Sequence, residues 1–356
     1  AAEPFRAGFV RRVLLSDGQR ITGRFRSAAD DSISIRTAWA DHVDIPRSAA
    51  VALRQPPGLQ SLFEDDFADG FTGWVVSGKP TATSDPPAAA FTAIGQSAAY
   101  SPAHAPAAGR VGVNFRDRDA AGARWSMDLR FQGDGDPRTV HVTVAGPVDA
   151  YEVEAPGLDG DAHRIARSRG WHRLTVRFAG DSLSVLCDDA VLWSDLRQGP
   201  GGTLRQVSLV CTADGKADGV RGGVDFTDFS LCRNADEPRR PPGDASQEEV
   251  WLADGDQLFG DALHIDRRAV EIHGVFGKRS LPWAEVRGCW FRQAAAPKAG
   301  DGARVRLWID NGLDPEPDVL DGVLKVIDDK QATLLHPALG ELHIPRDRLR
   351  RLRPLE

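Results

Sequence analysis

Cysteine is scarce in this chain, and its cysteine and histidine residues are scattered. Four cysteines in 356 residues are too few for a disulfide framework, and none has the close pairing of a zinc site. The nine histidines do not stand at ligand spacing from one another or from cysteine, which argues against zinc and against a Cys-His nucleophile. The four cysteines fit either one disulfide in the middle of the chain or small buried thiols: Cys187, Cys211, Cys232 and Cys289.

Long apolar runs and an excess of positive charge are both absent. No stretch approaches the roughly 18 uninterrupted apolar residues of a membrane helix, so we expect no membrane insertion. Acidic residues (51) outnumber basic residues (44), and the resulting net charge of −7 gives no electrostatic reason to expect nucleic-acid binding. The first residues, Ala1-Ala2-Glu3-Pro4, are typical of a chain released by signal-peptide cleavage. They predict a secreted, periplasmic or cell-surface protein.

Helical periodicity is absent as well, because no segment repeats apolar residues every 3.6 positions over ten or more residues. Nearly every ordered-looking segment alternates with period two, or is a short apolar run bounded by Gly, Asp, Asn or Pro. This pattern predicts an all-β protein. Near the N-terminus it predicts a hairpin turn at Asp17-Gly18 within a group of five strands, at residues 11–15, 20–25, 32–37, 42–46 and 51–54.

One short pattern recurs along the chain. Residues 13–18 (VLLSDG), followed by Gly23, reappear as residues 250–255 (VWLADG), followed by Gly260. A more diverged third copy follows, with Gly322 at the matching place. Three copies around an unrelated middle predict a small folding unit that is used three times.

Proline-rich segments separate the middle of the chain from the repeats. Pro56-Pro57-Gly58 follows the first copy, and residues 237–243 (EPRRPPG) precede the second. The break between copies two and three, at residues 294–302, is short. The predicted domains are a first repeat at 1–57, a middle domain at 58–236, a linker at 237–247, a second repeat at 248–296 and a third repeat at 297–356.

Each copy resembles the small β-barrels of the Sm-like and SH3-like families, over about residues 8–55, 248–293 and 303–353. The resemblance rests on the order of the motifs: an Asp-Gly turn after the first strand, then a Gly, then Ile-Pro before the last strand. Sm proteins that bind RNA carry an Asn in the third-strand loop and an Arg-Gly near the fourth strand, and neither stands at the matching positions here. The resemblance therefore implies barrels whose exposed edges suit assembly, without RNA binding.

The middle, about residues 59–235, resembles a concanavalin A-like jelly roll of the laminin-G type. In that family a Trp-His-x-Leu strand leads to a turn and then to a strand ending in Asp-Asp or Asp-Gly before Val-Leu-Trp, as Trp171 through Trp193 do here. The resemblance implies a two-sheet sandwich, flanked by one N-terminal and two C-terminal small β-barrels, whose first and last strands are neighbours.

Four aspartates lie on those first and last strands. Laminin-G jelly rolls often hold calcium through aspartates and backbone carbonyls, so the resemblance implies a structural calcium site here. The alternative is that these residues serve only local hydrogen bonding in turns. The candidate ligands are Asp65, Asp66, Asp225 and Asp228.

The concanavalin A-like fold also hosts glycoside hydrolases. Those enzymes resemble one another in a strand with two catalytic glutamates and an acidic residue between them, because a retaining mechanism needs two carboxyl groups about 5–5.5 Å apart. The nearest match is Glu152 and Glu154 in residues 151–158 (YEVEAPGL), where the third carboxylate is missing. A glycan-active hydrolase using Glu152 and Glu154 is the alternative hypothesis, against two solvated surface glutamates.

Sugar binding would use an aromatic ring flanked by polar side chains. Trp125 lies between Arg124 and Ser126, with Asp128 beyond, so Trp125, Arg124 and Asp128 are the candidate ligand-binding residues. The leading hypothesis is a non-catalytic extracytoplasmic protein whose jelly roll binds a carbohydrate or a protein partner. Its repeats would join subunits into an oligomer or a larger assembly. No cofactor other than calcium is expected.

Overall fold

A computed structural model describes most of the chain, and the described part is built of antiparallel strands without an α-helix. Within it, no helix is long and apolar enough to cross a membrane. The all-β prediction is therefore confirmed. The described residues are 9–15, 18–29, 31–56, 58–84, 86–118, 124–145, 150–154, 161–162, 164–166, 168, 170–180, 182–188, 190–195, 201–212, 223–235, 247–292, 302–312 and 316–355.

The chain divides into two compact units. One is formed by residues 61–234, and the other by residues 9–60 together with residues 235–356. The second unit thus contains all three sequence repeats, although they are far apart along the chain. Its first five strands are β1 (Val10–Leu15), β2 (Arg20–Ala28), β3 (Ser32–Arg36), β4 (Val43–Pro46) and β5 (Ala50–Arg54).

The unit at 61–234 consists of the strands from the middle of the chain, beginning with one that starts two residues before it. These are β6 (Leu59–Asp65), β7 (Val75–Ser77), β8 (Thr81–Ser84), β9 (Pro87–Phe91), β10 (Ser97–Tyr100), β11 (Ala108–Asp117), β12 (Arg124–Gln132), β13 (Arg138–Ala145), β14 (Ala150–Glu154), β15 (Asp161–Ala162), β16 (Ile165–Ala166), β17 (His172–Ala179), β18 (Ser182–Cys187), β19 (Ala190–Asp195), β20 (Thr203–Thr212) and β21 (Val224–Asn234).

These strands form two sheets around one core, which is the jelly-roll sandwich expected from the sequence. The seven-stranded sheet has the order β16-β14-β13-β12-β20-β10-β7, and the nine-stranded sheet runs β15-β19-β18-β17-β11-β21-β9-β8 with β6 beside β21. The pairing of β6 with β21 confirms that the first and last strands are neighbours. Side chains from both sheets interdigitate: the Trp125 ring centroid lies 4.9 Å from that of Phe226, and Phe131 lies 5.5 Å from Phe178.

The remaining strands belong to the second and third repeats. They are β22 (Glu248–Leu252), β23 (Gln257–Ile265), β24 (Ala269–Gly274), β25 (Gly277–Pro282), β26 (Val286–Trp290), β27 (Arg304–Ile309), β28 (Asp318–Ile327), β29 (Gln331–His336), β30 (Gly340–Pro345) and β31 (Leu349–Pro354).

The three repeats share one strand order. In each, the first strand pairs with the second and the fifth, the second with the third, and the third with the fourth. Short 3₁₀ turns, Arg47–Ala49 and Arg346–Arg348, precede the fifth strand in the first and third copies. The five predicted strands of the first copy are found within a few residues of their predicted bounds. The finer likeness to Sm-like and SH3-like barrels stays a prediction.

The glycine shared by the copies has a steric cause. A Cβ placed on Gly23, Gly260 or Gly322 would lie closer than van der Waals contact to a backbone carbonyl oxygen of the paired third strand. In every copy the register of the second and third strands shifts within a few residues of this glycine. The repeated glycine therefore permits a close approach of two backbones.

The repeats, predicted as separate domains, share one hydrophobic core, to which all three contribute buried side chains such as Phe25, Ile272 and Leu334. The fifth strands of the first two copies, β5 and β26, pair with each other. The predicted domain boundaries stay a prediction, and residues 237–246 of the predicted linker lie outside the described residues.

All four cysteines are buried and none forms a disulfide. Of the two interpretations that the sequence left open, the structure therefore selects buried thiols. Burial raises the pKa of Cys289 to about 12 and also raises the pKa of Cys211. These thiols are small apolar core side chains.

Candidate functional site

The three side chains predicted to bind sugar do not lie on one face of strand β12. Trp125 is fully buried, with its ring centroid 5.0 Å from Phe115, whereas Arg124 and Asp128 are partly exposed. Successive side chains of a strand point to opposite faces, so neighbours in sequence cannot share one. The structure thus corrects the prediction: Trp125 is a core residue, and the alternation of the sequence already carried that signal.

The outward side chains of β12 form part of a polar surface, which we call the Asp128 face. Asp128 lies opposite His141 on β13 and Ser208 on β20. Nδ1 of His141 lies 3.0 Å from Oδ1 of Asp128. Within the described residues, however, no hydrogen bond of good geometry reaches that carboxylate oxygen. The Asp128 face comprises Ser126, Asp128, Arg130, His141 and Ser208.

The chemistry of this face suits polyhydroxylated ligands. Carboxylate oxygens accept hydrogen bonds, guanidinium groups donate them, and hydroxyl and imidazole groups do both. His141 and Arg130 are exposed, and Asp128 and Ser208 are partly exposed. The face therefore offers donors and acceptors side by side on neighbouring strands.

The two glutamates of the hydrolase alternative lie on β14, which borders β13. In the backbone register Glu154 stands opposite Thr143 and Glu152 opposite Ala145. Their side chains lie outside the described part of the structure. Catalysis by Glu152 and Glu154 therefore stays a prediction.

The four aspartates predicted to bind calcium are engaged with protein donors. The Asp65 carboxylate accepts hydrogen bonds from the Phe67 backbone N–H and from Trp74 Nε1, both at 2.8 Å. Asp225 forms ion pairs with two arginines. Among the described residues, the cluster of three side chains whose ligand atoms lie within 4.8 Å of one another contains none of these four aspartates. Calcium binding by Asp65, Asp66, Asp225 and Asp228 stays a prediction.

The two other predicted ligands are also held within the protein. Oδ1 of Asp66 accepts a hydrogen bond of 3.2 Å from the Ala68 backbone N–H. Oδ2 of Asp228 accepts one of 3.0 Å from Asn114 Nδ2, and Asp228 is fully buried. Each of these contacts satisfies one carboxylate oxygen.

A second site lies where the chain passes from one sheet to the other, and sequence reasoning missed it. Oγ of Ser168, between β16 and β17, lies 2.8 Å from Nε2 of His172. Nδ1 of the same imidazole lies 2.6 Å from Oδ2 of Asp188. His172 is buried, Ser168 is exposed and Asp188 is 45 % exposed at its side chain.

The antiparallel hairpin β17-β18 explains this meeting. Leu174 pairs with Cys187, and the Asp188 backbone N–H donates to the Arg173 carbonyl at 3.0 Å, so Asp188 comes beside His172. Cys187, His172 and Asp188 have ligand atoms within 4.8 Å of one another. Spacing along the chain does not reveal cross-strand neighbours, so the sequence could not show this proximity of His172 and Cys187. The expectation of no zinc and no Cys-His nucleophile stays a prediction.

Comparison with known proteins identifies no family. No protein-family model matches the chain, and no curated protein matches it. The β-glucanase of Bacillus licheniformis is 11 % identical and covers 51 % of this chain and 100 % of its own, with a TM-score of 0.36. The laminarinase catalytic domain of Thermotoga maritima MSB8 is 9 % identical, over 50 % of this chain and 99 % of its own, with a TM-score of 0.39.

A third similar structure is a Bacillus subtilis protein of unknown function with a galectin-like fold. It is 8 % identical and covers 49 % of this chain and 98 % of its own, with a TM-score of 0.37. All three identities are below 25 % and all three TM-scores are below 0.5. Likeness at this level says nothing about the activity of this chain.

Proposed function

We propose that this protein binds a carbohydrate on the Asp128 face of its jelly roll. The observation that supports the proposal is the row of neighbouring donors and acceptors formed by His141, Asp128 and Ser208 across three strands. The Asp128 side chain is 22 % exposed and its Oδ1 lies beside His141, so the exposed part of the carboxylate is a suitable acceptor for a sugar hydroxyl.

The arrangement also defines how a sugar would be held. Binding on this face rests on hydrogen bonds, because the Trp125 ring is turned into the core. Arg130 adds an exposed cation next to the Asp128 carboxylate, two positions along the strand. Glycans with several free hydroxyl groups, including acidic ones, fit this pattern of donors and acceptors.

The test is a glycan-array screen followed by calorimetry on the best ligand. Asp128→Ala and Arg130→Ala should each weaken binding about 10- to 150-fold, since a hydrogen bond to a charged group contributes roughly 1.5–3 kcal/mol. Arg177→Ala, an exposed arginine on β17 of the other sheet, is the matched control and should bind like the wild type. No glycan binding by the wild type, or equal loss in all three variants, contradicts the proposal.

The hydrolase alternative has its own readout in the same experiment. The bound glycan is incubated with the protein, and its chain length is followed. Shortening that disappears in Glu152→Gln and Glu154→Gln variants would replace the binding proposal by glycan hydrolysis. An intact glycan after long incubation favours binding.

We also propose that strand β31 is the edge through which the repeats join a partner. The fifth strands of the first two copies pair with each other, whereas in the described sheet β31 has only β27 beside it. The guanidinium groups of Arg351 and Arg353 lie 4.9 and 5.9 Å from the Trp308 ring. Like charges disfavour pairing of two β31 strands, so the proposed partner is a strand with acidic side chains.

A synthetic extended peptide that alternates Glu and Val is the probe for this edge. Binding should be salt-sensitive and should weaken about 10-fold in an Arg351→Ala, Arg353→Ala double variant. Arg279→Ala, an exposed arginine of β25, is the control. Absence of binding, together with a dimer in light scattering of the pure protein, would favour association of two copies and contradict the acidic partner.

A further inference from the structure

We infer that Ser168, His172 and Asp188 form a nucleophilic site that hydrolyses carboxylic esters. The inference concerns an activity separate from the binding proposed for the Asp128 face. Its basis is the connected pair of hydrogen bonds, 2.8 Å from the serine hydroxyl to the imidazole and 2.6 Å from the imidazole to the carboxylate. This is the connectivity of a nucleophile, a general base and an orienting acid.

The direction of each hydrogen bond follows from the chemistry of the groups. An ionised Asp188 only accepts, so Nδ1 of His172 carries the proton and donates it to the carboxylate. Nε2 then has a free lone pair and must be the acceptor for the Ser168 hydroxyl. The imidazole is therefore held in the tautomer that removes a proton from Oγ.

The serine oxygen receives a further donor. The Gly170 backbone N–H donates to Ser168 Oγ at 3.1 Å. Because Oγ donates its own hydrogen to His172, this contact uses a lone pair of the oxygen and stabilises negative charge that develops there as the proton leaves. Ser168 itself is exposed, so a substrate can reach it.

The imidazole and the carboxylate are positioned by their surroundings. The His172 ring packs against two aromatic rings, with centroids 5.0 Å from Tyr151 and 5.6 Å from Phe115. The second oxygen of Asp188 accepts a hydrogen bond of 2.8 Å from the Arg173 backbone N–H. These contacts fix the ring and the carboxylate before a substrate arrives.

The segment that carries the serine is held as well. Tyr151 Oη donates to the Ser168 carbonyl oxygen at 3.2 Å. This contact ties Ser168 to strand β14, on which Tyr151 is fully buried. The nucleophile is therefore anchored to the rigid sheet.

A zinc site is the competing interpretation, since Cys187 is part of the same cluster. Burial, together with the nearby negative charge of Asp188, raises the pKa of the Cys187 thiol well above its ordinary range. A metal ligand must be the thiolate, so this buried thiol is a poor one. The exposed serine is the better nucleophile.

The reaction requires only an ester and water as reactants. Oγ of Ser168 attacks the ester carbonyl carbon while its proton passes to Nε2 of His172, and the C–O bond to the alcohol then breaks as His172 returns the proton to the leaving oxygen. Water, deprotonated by the same nitrogen, next attacks the acyl-serine carbonyl carbon; the bond from that carbon to Oγ breaks, the acid leaves, and His172 returns the proton to Oγ of Ser168. Asp188 stays ionised throughout and stabilises the imidazolium form.

The test is covalent labelling of the wild-type protein with a fluorophosphonate, followed by peptide mapping. We expect one adduct on Ser168, together with hydrolysis of p-nitrophenyl acetate. Ser168→Ala should abolish the adduct, and His172→Gln should lower the hydrolysis rate at least about 100-fold. Ser182→Ala removes a serine of the β17-β18 turn, whose Oγ donates to Ala179, and should change neither result.

Labelling of the wild type decides the matter even where a variant fails to fold. No adduct on Ser168, or adducts only on other residues, overturns the inference. Tight binding of one zinc ion that blocks labelling would assign the cluster to a metal instead. Labelling is measured without any glycan and glycan affinity without any ester, so failure of the binding proposal and failure of this one are distinguishable.

Discussion

The indole Nε1 of Trp39 donates a hydrogen bond of 3.0 Å to Oδ2 of Asp318, 279 residues further along the chain. The pair joins the first sequence repeat to the third inside their common unit. The other carboxylate oxygen accepts from the Thr22 backbone N–H at 2.8 Å and from Asn311 Nδ2 at 3.2 Å. Asp318 is fully buried, so these contacts replace its hydration.

Removal of this carboxylate should destabilise the unit formed by the repeats. Asp318→Ala leaves several buried donors without an acceptor, and we expect a loss of about 3 kcal/mol in the free energy of unfolding. Urea unfolding followed by tryptophan fluorescence measures the change. Asp41→Ala, at a side chain 92 % exposed, is the control. Equal stabilities of the two variants would contradict the structural role of Asp318.

The stability of the same unit should depend on pH through Asp318. Burial raises the pKa of Asp318 to about 6, from 3.8. Between these values the folded protein holds a proton that the unfolded chain has lost, so the free energy of unfolding falls as pH rises from about 4 to 6. Asp318→Asn removes this contribution. In urea titrations at pH 4, 5 and 6, the free energy of unfolding of the wild type should therefore fall steadily relative to that of the variant. A difference that stays constant with pH contradicts the prediction.

His336 should act in the opposite direction. Burial lowers the pKa of His336 to about 4, and the neutral ring accepts hydrogen bonds at Nδ1 from two backbone N–H groups while Nε2 contacts Gln19 Oε1 at 3.0 Å. The unfolded chain binds the proton near pH 6.5, so stability is lost as pH falls from about 6.5 to 4. In an Asp318→Asn background, His336→Gln should reduce the dependence of the free energy of unfolding on pH over this range. His42→Gln, at an exposed histidine, should leave that dependence unchanged.

Arg47 and Glu248 should be strongly coupled in their effects on the free energy of unfolding. Nη2 of Arg47 donates to both carboxylate oxygens, at 2.8 and 2.7 Å, and to the Ala262 carbonyl, and both side chains are nearly buried. Arg47→Met or Glu248→Met alone should cost about 3 kcal/mol, because each leaves a buried charge without its partner, and the double variant should cost less than the sum.

A surface ion pair provides the control for this comparison of single and double variants, which forms a double-mutant cycle. Lys278 and Glu271 lie 2.8 Å apart on neighbouring strands, with side chains 57 % and 29 % exposed. Their coupling energy should not exceed about 0.5–1 kcal/mol. If the two cycles give the same coupling energy, the first pair is not held in a desolvated site.

Substitution of Trp125 should lower the stability of the protein without lowering its affinity for a glycan. Trp125→Ala removes a fully buried ring from the sandwich and should destabilise it by about 3–5 kcal/mol. Glycan affinity, measured at a temperature where the variant is folded, should stay near the wild-type value. A loss of affinity without a loss of stability would support the prediction that Trp125 is a ligand-binding residue.

The thiols offer a direct check on the core. Because all four cysteines are buried and none forms a disulfide, a thiol reagent such as DTNB should react slowly with the native protein and with four groups per chain in denaturant. Rapid reaction of the native protein, or fewer than four groups after unfolding, would contradict the burial or the absence of disulfides.

The sequence determined the strands of this protein because strand formation leaves a local record. Alternation with period two and the Asp-Gly turns gave the all-β class, and Gly23, Gly260 and Gly322 marked the repeated close approach of two backbones. The same alternation contained the information that Trp125 and Arg124 occupy opposite faces of one strand. These features depend only on a residue and its neighbours in the chain.

Tertiary structure alone decided which distant residues meet. The register of two strands brings Asp188 to His172, and the packing of repeats brings Asp318 to Trp39, and neither pairing leaves a pattern in the local sequence. Ser168 carried no signal at all, since its role depends on an imidazole that the fold delivers. Contacts of this kind are set by the burial of the whole core, which fixes the strand registers together.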